Sequence, residues 1–471
     1  MRAWMMLLLF LPLAGCLDDS EPAPTMDPAA DVDTDGDGLT DAEEIAIGDD
    51  PLTPFMPRVT LAIIDTGLQP YHHEFRQVRA GENGFAHPAT YVPGYPSAAE
   101  SLPITLELDD YPADVSPAQA HLDHDAELWD NSQPETLYWL PGTKTIGFIS
   151  FGSNLPGGGH GTMTSSRSTG NTISIPGDEV LLVNIRVPLN IPLDATPGTP
   201  EEQAVRWAAD QDWIDIQSNS WGMPFMCAGP AAASLTGWMD AFRYARDKQF
   251  VFSATHNGHG NTGTVGYPSQ CQDTAGPAGV IAVSATDNQG YASWSNWFPA
   301  IAADGCANPA VAEASLNETA NTGGGTSSAT PYSAGGMAKI ILEARSIFRD
   351  AGVGIHDGIV ATLQPGGQLP STGPLRDGVF TVDEAKAVLF HTARSPPQDD
   401  PSDGDACLNQ IPARENDPAI AWFPFIGYGE INEATIADAL SVLRGDLDEP
   451  VRADEDALYE QDQANRRALY G

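Results

Sequence analysis

Apolar segments with the length of buried strands alternate with helical periodicity along the middle of the chain. Five segments predict strands: Val59–Ile64, Val180–Val187, Ile214–Gln217, Phe250–Ala254 and Val280–Ala285. Three segments have helical spacing: Glu201–Ala209, Leu235–Arg246 and Thr330–Phe348. Strands that alternate with helices predict a doubly wound α/β fold, with a mostly parallel sheet and helices on both faces. In such sheets, functional sites form at the carboxyl ends of the strands.

Other parts of the chain do not follow this alternation. Residues 78–142 and 352–378 are rich in proline, glycine and acidic residues, so we predict that both are surface insertions. The segment 446–471 is charged and predicts a peripheral helical tail. At 471 residues, the chain is long enough for one large core with insertions.

The charge of the chain is strongly negative. It contains 64 Asp and Glu residues against 22 Lys and Arg residues, which gives a formal net charge of −42. Such a charge repels the phosphates of nucleic acids and the surfaces of anionic lipids. We therefore expect neither as a partner.

The first residues have the pattern of an export signal. A positive Arg2 precedes the apolar run Trp4–Ala14, which is too short to span a bilayer. The following Leu13–Cys16 resembles a lipobox, in which the cysteine becomes the lipidated N-terminus. We therefore predict a signal peptide over 1–15 and an exported lipoprotein, facing the periplasm or cell surface, that contacts the membrane only through Cys16. The alternative is an ordinary signal peptide with a chance cysteine.

An acidic segment follows and predicts a tether over 16–57. Within it, Asp33–Glu44 fits a twelve-residue calcium loop. The predicted oxygen ligands are Asp33, Asp35, Asp37, Leu39 through its carbonyl, Asp41 and Glu44. The next residues, 46–51, resemble a thrombospondin type 3 repeat. The alternative is a solvated linker that matches only because it is rich in aspartate.

Four short motifs occur in the order Asp, His, Asn, Ser. Asp65 ends a predicted strand, His160 lies between glycines, Asn257 follows another strand, and Ser327 opens the last predicted helix. A serine becomes a nucleophile when an imidazole takes its proton and a carboxylate orients that imidazole. A backbone N–H at a helix N-terminus and an Asn amide can stabilise the oxyanion that forms.

These motifs resemble those of the subtilisin-like serine peptidases, the subtilases. Residues 325–331, Gly-Thr-Ser-Ser-Ala-Thr-Pro, match the nucleophile signature except at Ser328, where Met is usual. Met163 and Thr164 also depart from the histidine signature, and His256 replaces the small glycine that usually precedes the Asn. The resemblance implies a peptidase domain over 58–445 with Asp65, His160 and Ser327 as the catalytic triad.

The resemblance carries further implications for the site. Asn257 is expected in the oxyanion hole, and Ser220, Trp221 and Gly222 in a strand that binds substrate. The implied activity is that of a serine endopeptidase that acts on extracellular proteins or peptides. We expect the protein to act as a monomer without an organic cofactor. We expect calcium to have only a structural role, in the N-terminal loop.

Two other functions and the disulfide pairing stay open. The chain could be a catalytically silent subtilase fold that acts as a binding module, or a calcium-dependent structural lipoprotein. Beyond Cys16 there are four cysteines, an even number that permits two disulfides in three pairings. The resemblance places two of them beside one pocket and so favours Cys227–Cys271 with Cys306–Cys407.

Overall fold

The computed structural model describes residues 57–70, 72–76, 86–104, 132–152, 159–177, 180–188, 198–222, 236–257, 279–287, 290–291, 295, 299–305, 308–311, 319–394 and 426–470. Its strands are β1 Thr60–Asp65, β2 Ser101–Pro103, β3 Leu137–Trp139, β4 Thr145–Ser150, β5 Leu181–Arg186, β6 Ile216–Asn219, β7 Phe250–Ala254, β8 Ile281–Asp287, β9 Gly290–Tyr291, β10 Ile301–Asp304, β11 Asn308–Val311, β12 Thr319–Gly323, β13 Ile359–Thr362, β14 Val379–Thr381 and β15 Glu430–Ile431. Its α-helices are α1 His160–Thr169, α2 Pro200–Ala209, α3 Thr236–Arg246, α4 Thr326–Phe348, α5 Val382–Thr392, α6 Glu433–Arg444 and α7 Ala453–Tyr470.

One large sheet organises these elements. Its strand order is β15-β10-β8-β7-β6-β1-β5-β4-β3-β2, with β9 paired to β8. The pairs β3–β4 and β8–β9 are antiparallel, and the other neighbours are parallel. The five predicted strands correspond to β1, β5, β6, β7 and β8. They are adjacent in the sheet, in the order β8-β7-β6-β1-β5.

Helices cover both faces of this sheet. In β1, Leu61 and Ile63 pack into one hydrophobic cluster with α4, while Ala62 and Ile64 pack into a second cluster with α2 and α3. Successive side chains of a strand point to opposite faces, so a strand buried on both faces is apolar throughout. This arrangement confirms the predicted doubly wound α/β fold. Among the described residues, no helix is long and apolar enough to cross a membrane.

The predicted insertions contribute more to the fold than a surface position implies. Strands β2 and β3 lie within 78–142 and extend the sheet beyond β4, and Tyr95 and the β3 residue Trp139 are buried. In the second insertion, β13 pairs with β14 and Leu375 is fully buried. Three-residue strands are too short to show a hydrophobic period, which explains why the sequence does not reveal them.

Two buried cations hold segments of the backbone together. Arg345 of α4 pairs with Asp215, with an Nη2–Oδ1 distance of 2.7 Å, and both side chains are buried. Asp215 also accepts the backbone N–H groups of Thr60 and Gly354. Lys144, 1% exposed, donates from Nζ to the carbonyl oxygens of Thr169 at 2.6 Å and Gly177 at 2.9 Å. Its ammonium thereby joins the two ends of the loop that follows α1.

The C-terminal helix α7 is attached to the domain by polar and aromatic contacts. His391, near the end of α5, contacts Glu449 through Nδ1 at 2.7 Å and Asp456 through Nε2 at 3.1 Å. Tyr428 donates its hydroxyl to Asp456 at 2.7 Å and packs against Tyr459. The first turns of α7 therefore pack against the domain through Asp456 and Tyr459.

Candidate active site

The candidate catalytic residues gather where the central strands end. Ile64 in β1 is level with Asn219 in β6, and Asn219 is level with Ser253 in β7. The residues that follow these three leave the sheet at the same carboxyl edge, because the strands are parallel. Asp65 and Ser220 are therefore side by side, and the chain after β7 brings Asn257 to the same edge.

Asp65 and His160 form a hydrogen-bonded pair. The Asp65 carboxylate is fully buried and lies 2.8 Å from His160 Nδ1 through Oδ1, while the imidazole side chain is 36% exposed. Two further groups donate to the same carboxylate: the N–H of Thr66 at 2.7 Å and the hydroxyl of Thr164 at 3.2 Å. A buried carboxylate held by several donors orients the imidazole and selects the tautomer that carries its proton on Nδ1.

A glycine allows helix α1 to approach β1 this closely. A Cβ at Gly161 would lie 2.4 Å from the carbonyl oxygen of Gly67 and 2.6 Å from that of Thr66. Any side chain at this position would push the helix away from the turn after β1. The Gly161 N–H also donates to Thr66 Oγ1 at 2.8 Å, which fixes the helix start beside Asp65.

Ser327 lies in the first turn of α4 and is bonded twice to Ser220. Its Oγ donates to the Ser220 carbonyl at 3.1 Å, and its own carbonyl accepts the Ser220 hydroxyl at 3.0 Å. Pro331 explains the second bond: it lies four residues later inside α4 and has no N–H to donate to the Ser327 carbonyl. That carbonyl is therefore available to a side chain from outside the helix.

Asn257 is held against the start of the same helix. Its Oδ1 accepts from the N–H of Thr326 at 2.8 Å and from the Thr326 hydroxyl at 2.9 Å. Because a backbone N–H can only donate, it identifies the oxygen end of the amide, and the donor end Nδ2 faces the other way. A Cβ at Gly325 would lie 2.6 Å from Nδ2, and Gly325 has a φ of +79° that favours glycine.

The predicted substrate strand follows β6 directly. Ser220 is buried and Gly222 is half-buried. The indole of Trp221 points inward, with 6% of the residue exposed, and its Nε1 donates to the carbonyl of Ile64 at 2.8 Å. The Trp221 side chain therefore belongs to the core.

Sequence comparison adds the family to this geometry. The model of the subtilase family matches residues 57–400. The chain belongs to the subtilase family. A bacterial TSP3 repeat also matches, over residues 33–54. No curated protein matches the chain at a significant level.

Several solved structures are similar to this subtilase. The prenylagaramide maturation protease PagA is 16% identical, with 82% of this chain and 94% of that chain covered and a TM-score of 0.41. The epidermin leader peptide processing serine protease EpiP from Staphylococcus aureus is 17% identical, with 83% and 77% covered and a TM-score of 0.41. The PatG macrocyclase in complex with peptide is 15% identical, with 82% and 93% covered and a TM-score of 0.41.

Two departures of this subtilase from its family's motifs have structural consequences. His256, in place of glycine, has a φ of 82°, a conformation that costs a residue with a side chain about 1–3 kcal/mol. Thr164 donates its hydroxyl to the Asp65 carboxylate, a bond that a residue without a side-chain donor cannot make. The sequence marked both positions as departures but gave no signal of the Thr164 bond.

A pair of carboxyl groups lies on neighbouring strands beyond this site. Burial raises the pKa of Glu430 to about 7, and the negative charge of Asp304 adds to the shift. A hydrogen bond with Thr286 acts in the opposite direction. Glu430 is in β15 and Asp304 ends β10, so the two carboxyl groups are held close by strand pairing.

The remaining predicted sites lie outside the described residues. These are Cys16, the calcium ligands Asp33, Asp35, Asp37, Leu39, Asp41 and Glu44, and the cysteines Cys227, Cys271, Cys306 and Cys407. Within the described part of the chain, no group of three His, Cys, Asp or Glu side chains is placed to hold a metal ion.

Proposed function

We propose that the protein is a serine endopeptidase that cleaves peptide bonds of extracellular proteins or peptides. Asp65, His160 and Ser327 act as its triad. The observation that carries this proposal is the 2.8 Å bond between His160 Nδ1 and the fully buried carboxylate of Asp65. This pair lies at the carboxyl edge of the sheet, where Ser327 stands in the first turn of α4. Such a pair has a clear chemical use: it prepares the opposite nitrogen, Nε2, to accept a proton.

In the proposed reaction, Ser327 Oγ attacks the scissile carbonyl carbon while His160 Nε2 takes its proton. The C–N bond then breaks, and the imidazolium gives that proton to the leaving amine. Water repeats the sequence on the acyl-enzyme and releases the acid product. Ser327 Oγ donates to the Ser220 carbonyl in the free protein, so its hydroxyl hydrogen must turn away from that carbonyl before the imidazole can take it.

Two donors are proposed for the oxyanion. The first is the Ser327 N–H, in the first turn of α4, where N–H groups have no acceptor within the helix. The second is Asn257 Nδ2, whose direction is set by the two bonds from Thr326 to Oδ1. Donors fixed before the reaction stabilise a charge without the cost of reorienting during it.

Substrate binding is proposed along the backbone of Ser220, Trp221 and Gly222. These residues leave β6 beside Ser327 with Trp221's side chain turned inward, so an extended peptide could pair with the backbone. The proposed substrates are therefore segments in extended conformation within a protein or a peptide.

The experiment compares two neighbouring serines of one helical turn. Ser327→Ala is expected to lower kcat on a peptide library by about a million-fold and to abolish labelling by a fluorophosphonate. Ser328→Ala is the matched control, because Ser328 is fully buried, and it should label like wild type. A folded wild-type protein that neither hydrolyses peptides nor labels would instead be a silent binding module.

For the N-terminal region we propose a lipid anchor at Cys16 and a structural calcium ion at Asp33–Glu44. The donor set fits calcium, which prefers six to eight oxygen ligands, because the loop offers only carboxylate and carbonyl oxygens. The proposed anchor would hold the peptidase at an external membrane surface. Expression in a bacterial host tests the anchor: wild type should partition into detergent, and Cys16→Ser should not.

A further inference from the structure

Trp221 connects the substrate strand to the strand that carries Asp65. Its indole N–H donates at 2.8 Å to the carbonyl of Ile64, which is 157 residues away in sequence, and the bond is buried. That carbonyl belongs to the peptide group whose nitrogen is that of Asp65. A hydrogen bond to the Ile64 carbonyl therefore restrains the orientation of the peptide group that precedes the Asp65 Cα.

The indole is itself held in a fixed orientation. The rings of Trp238 and Phe242, both in α3, meet it edge-to-face at centroid distances of 5.0 Å and 5.7 Å. Edge-to-face contacts restrict the rotation of a ring, because they depend on the angle between the ring planes. The direction of the Trp221 N–H is therefore set by helix α3.

The peptide group on the other side of Asp65 is fixed too. The Asp65 carbonyl accepts the N–H of Val187 at 2.8 Å. The carboxylate is fixed by Thr66 and Thr164, as described above. Strand pairing with β5 and β6 holds the Ile64–Asp65 peptide in the sheet, and the Trp221 bond adds a side-chain restraint on the N-terminal side of a residue whose position determines where His160 lies.

We propose that Trp221 is a positioning residue that sets the Asp65–His160 geometry through the Ile64 carbonyl. Its neighbour Ser220 binds Ser327 by two hydrogen bonds, so the dipeptide Ser220–Trp221 links the nucleophile to the strand of the carboxylate. The effect on turnover rests on the proposed peptidase function, whereas the effect on the His160 hydrogen bond does not.

The chain offers a matched control for this residue. Trp213 is 2% exposed, belongs to the same hydrophobic cluster as Trp221, and donates its indole N–H to the Gln211 side chain at 3.2 Å. Trp221→Phe and Trp213→Phe each remove one indole N–H donor and keep an aromatic ring. They differ in whether the lost bond is to the backbone beside Asp65.

The first measurement is steady-state kinetics on a short peptide. Trp221→Phe is expected to lower kcat roughly tenfold at unchanged KM, because small displacements of catalytic groups have large effects on rate. The acidic limb of its kcat/KM profile should move to lower pH, since an imidazolium less well held by Asp65 loses its proton more readily. Trp213→Phe should keep the wild-type kcat and profile.

The second measurement needs no turnover. In proton NMR spectra, the Nδ1–H resonance of His160 should move upfield and exchange faster with water in Trp221→Phe, and should stay in place in Trp213→Phe. Equal spectra for wild type and Trp221→Phe would overturn the proposal whether or not the protein hydrolyses peptides. Failure of wild type to hydrolyse any peptide, with the NMR change present, would overturn only the peptidase function.

Discussion

Arg345 forms a buried ion pair with Asp215, with its Nη2 2.7 Å from the Asp215 Oδ1 and both side chains excluded from solvent. The arginine also donates to the carbonyl oxygens of Arg58, Gly354 and Val360. Arg345 lies eighteen residues after Ser327 in α4, a distance of about 27 Å along the helix axis. The helix that carries Ser327 is therefore anchored near its far end, in addition to the contacts of Ser220 and Asn257 at its start.

Removal of Asp215 should therefore strongly destabilise the domain. Asp215→Ala leaves a buried guanidinium without its countercharge, and we expect a loss of about 3–5 kcal/mol in the free energy of unfolding. The control is Asp240→Ala, which removes the partner of Arg243 in a solvent-exposed pair and should cost less than about 1 kcal/mol. Denaturant unfolding measures both. Equal losses for the two variants would contradict this account of the pair.

Loss of the Asn257 donor should affect turnover more than binding. Asn257→Asp can still accept from Thr326 through an oxygen but offers no N–H to the oxyanion, so we expect kcat to fall by about a hundred- to a thousand-fold at similar KM. Thr326→Val removes only the hydroxyl bond to Oδ1 and keeps the backbone bond, so its loss should be much smaller. If both variants lose turnover equally, Asn257 acts by fixing the helix start and not as a donor.

The carboxyl group of Glu430 should make stability depend on pH. Burial and the charge of Asp304 raise its pKa to about 7, so the native state binds a proton that the unfolded state releases near its ordinary value of 4.5. The native state then binds more protons between these values, and stability falls as pH rises from about 4.5 to about 7. Glu430→Gln cannot ionise and should remove this slope.

The comparison of unfolding free energies at pH 5 and pH 8 tests this assignment. Relative to wild type, Glu430→Gln should be more stable at pH 8 than at pH 5, because only the wild type carries the buried charge at the higher pH. Glu433→Gln is the control, since Glu433 is an exposed carboxylate only three residues away. A slope that persists in Glu430→Gln would assign the titration to another group.

The calcium loop should protect the tether without a part in peptide hydrolysis. Without calcium, we expect the carboxylates of Asp33–Glu44 to repel one another, which should make the segment easier for a peptidase to cut. Asp33→Ala combined with Glu44→Ala should therefore leave kcat on short peptides unchanged. The same double variant should be clipped faster within 17–57, and a chelator should produce that effect in wild type. A large loss of kcat would mean that the loop supports the catalytic domain.

The sequence predicted the parts of this fold that are local. The strand that ends at Asp65 and the helix that begins beside Ser327 are visible as an apolar run and as a small-residue motif. The bonds that join such elements are not visible in this way, because their partners lie far apart in the chain. The indole of Trp221 and the carbonyl of Ile64 are an example, with 157 residues between them.

Buried charges were the second class of feature that the sequence did not reveal. Arg345 occurs in an amphipathic pattern, in which an arginine usually marks the exposed face of the helix. Its burial depends on Asp215 and on carbonyl groups contributed by three other segments. The short strands β2 and β3 were missed for a related reason, since pairing with neighbours and not periodicity makes them strands.

The ammonium group of Lys144 has a consequence for the helix that begins at His160. It joins the carbonyl oxygens of Thr169 and Gly177, and a cation that is covalently part of the chain cannot dissociate, be diluted or be removed by a competing ligand. The ammonium group reaches this position when β4, which begins at the next residue, takes its place in the sheet. The far end of the helix that begins at His160 is thus closed by the polypeptide itself and needs no ion from solution.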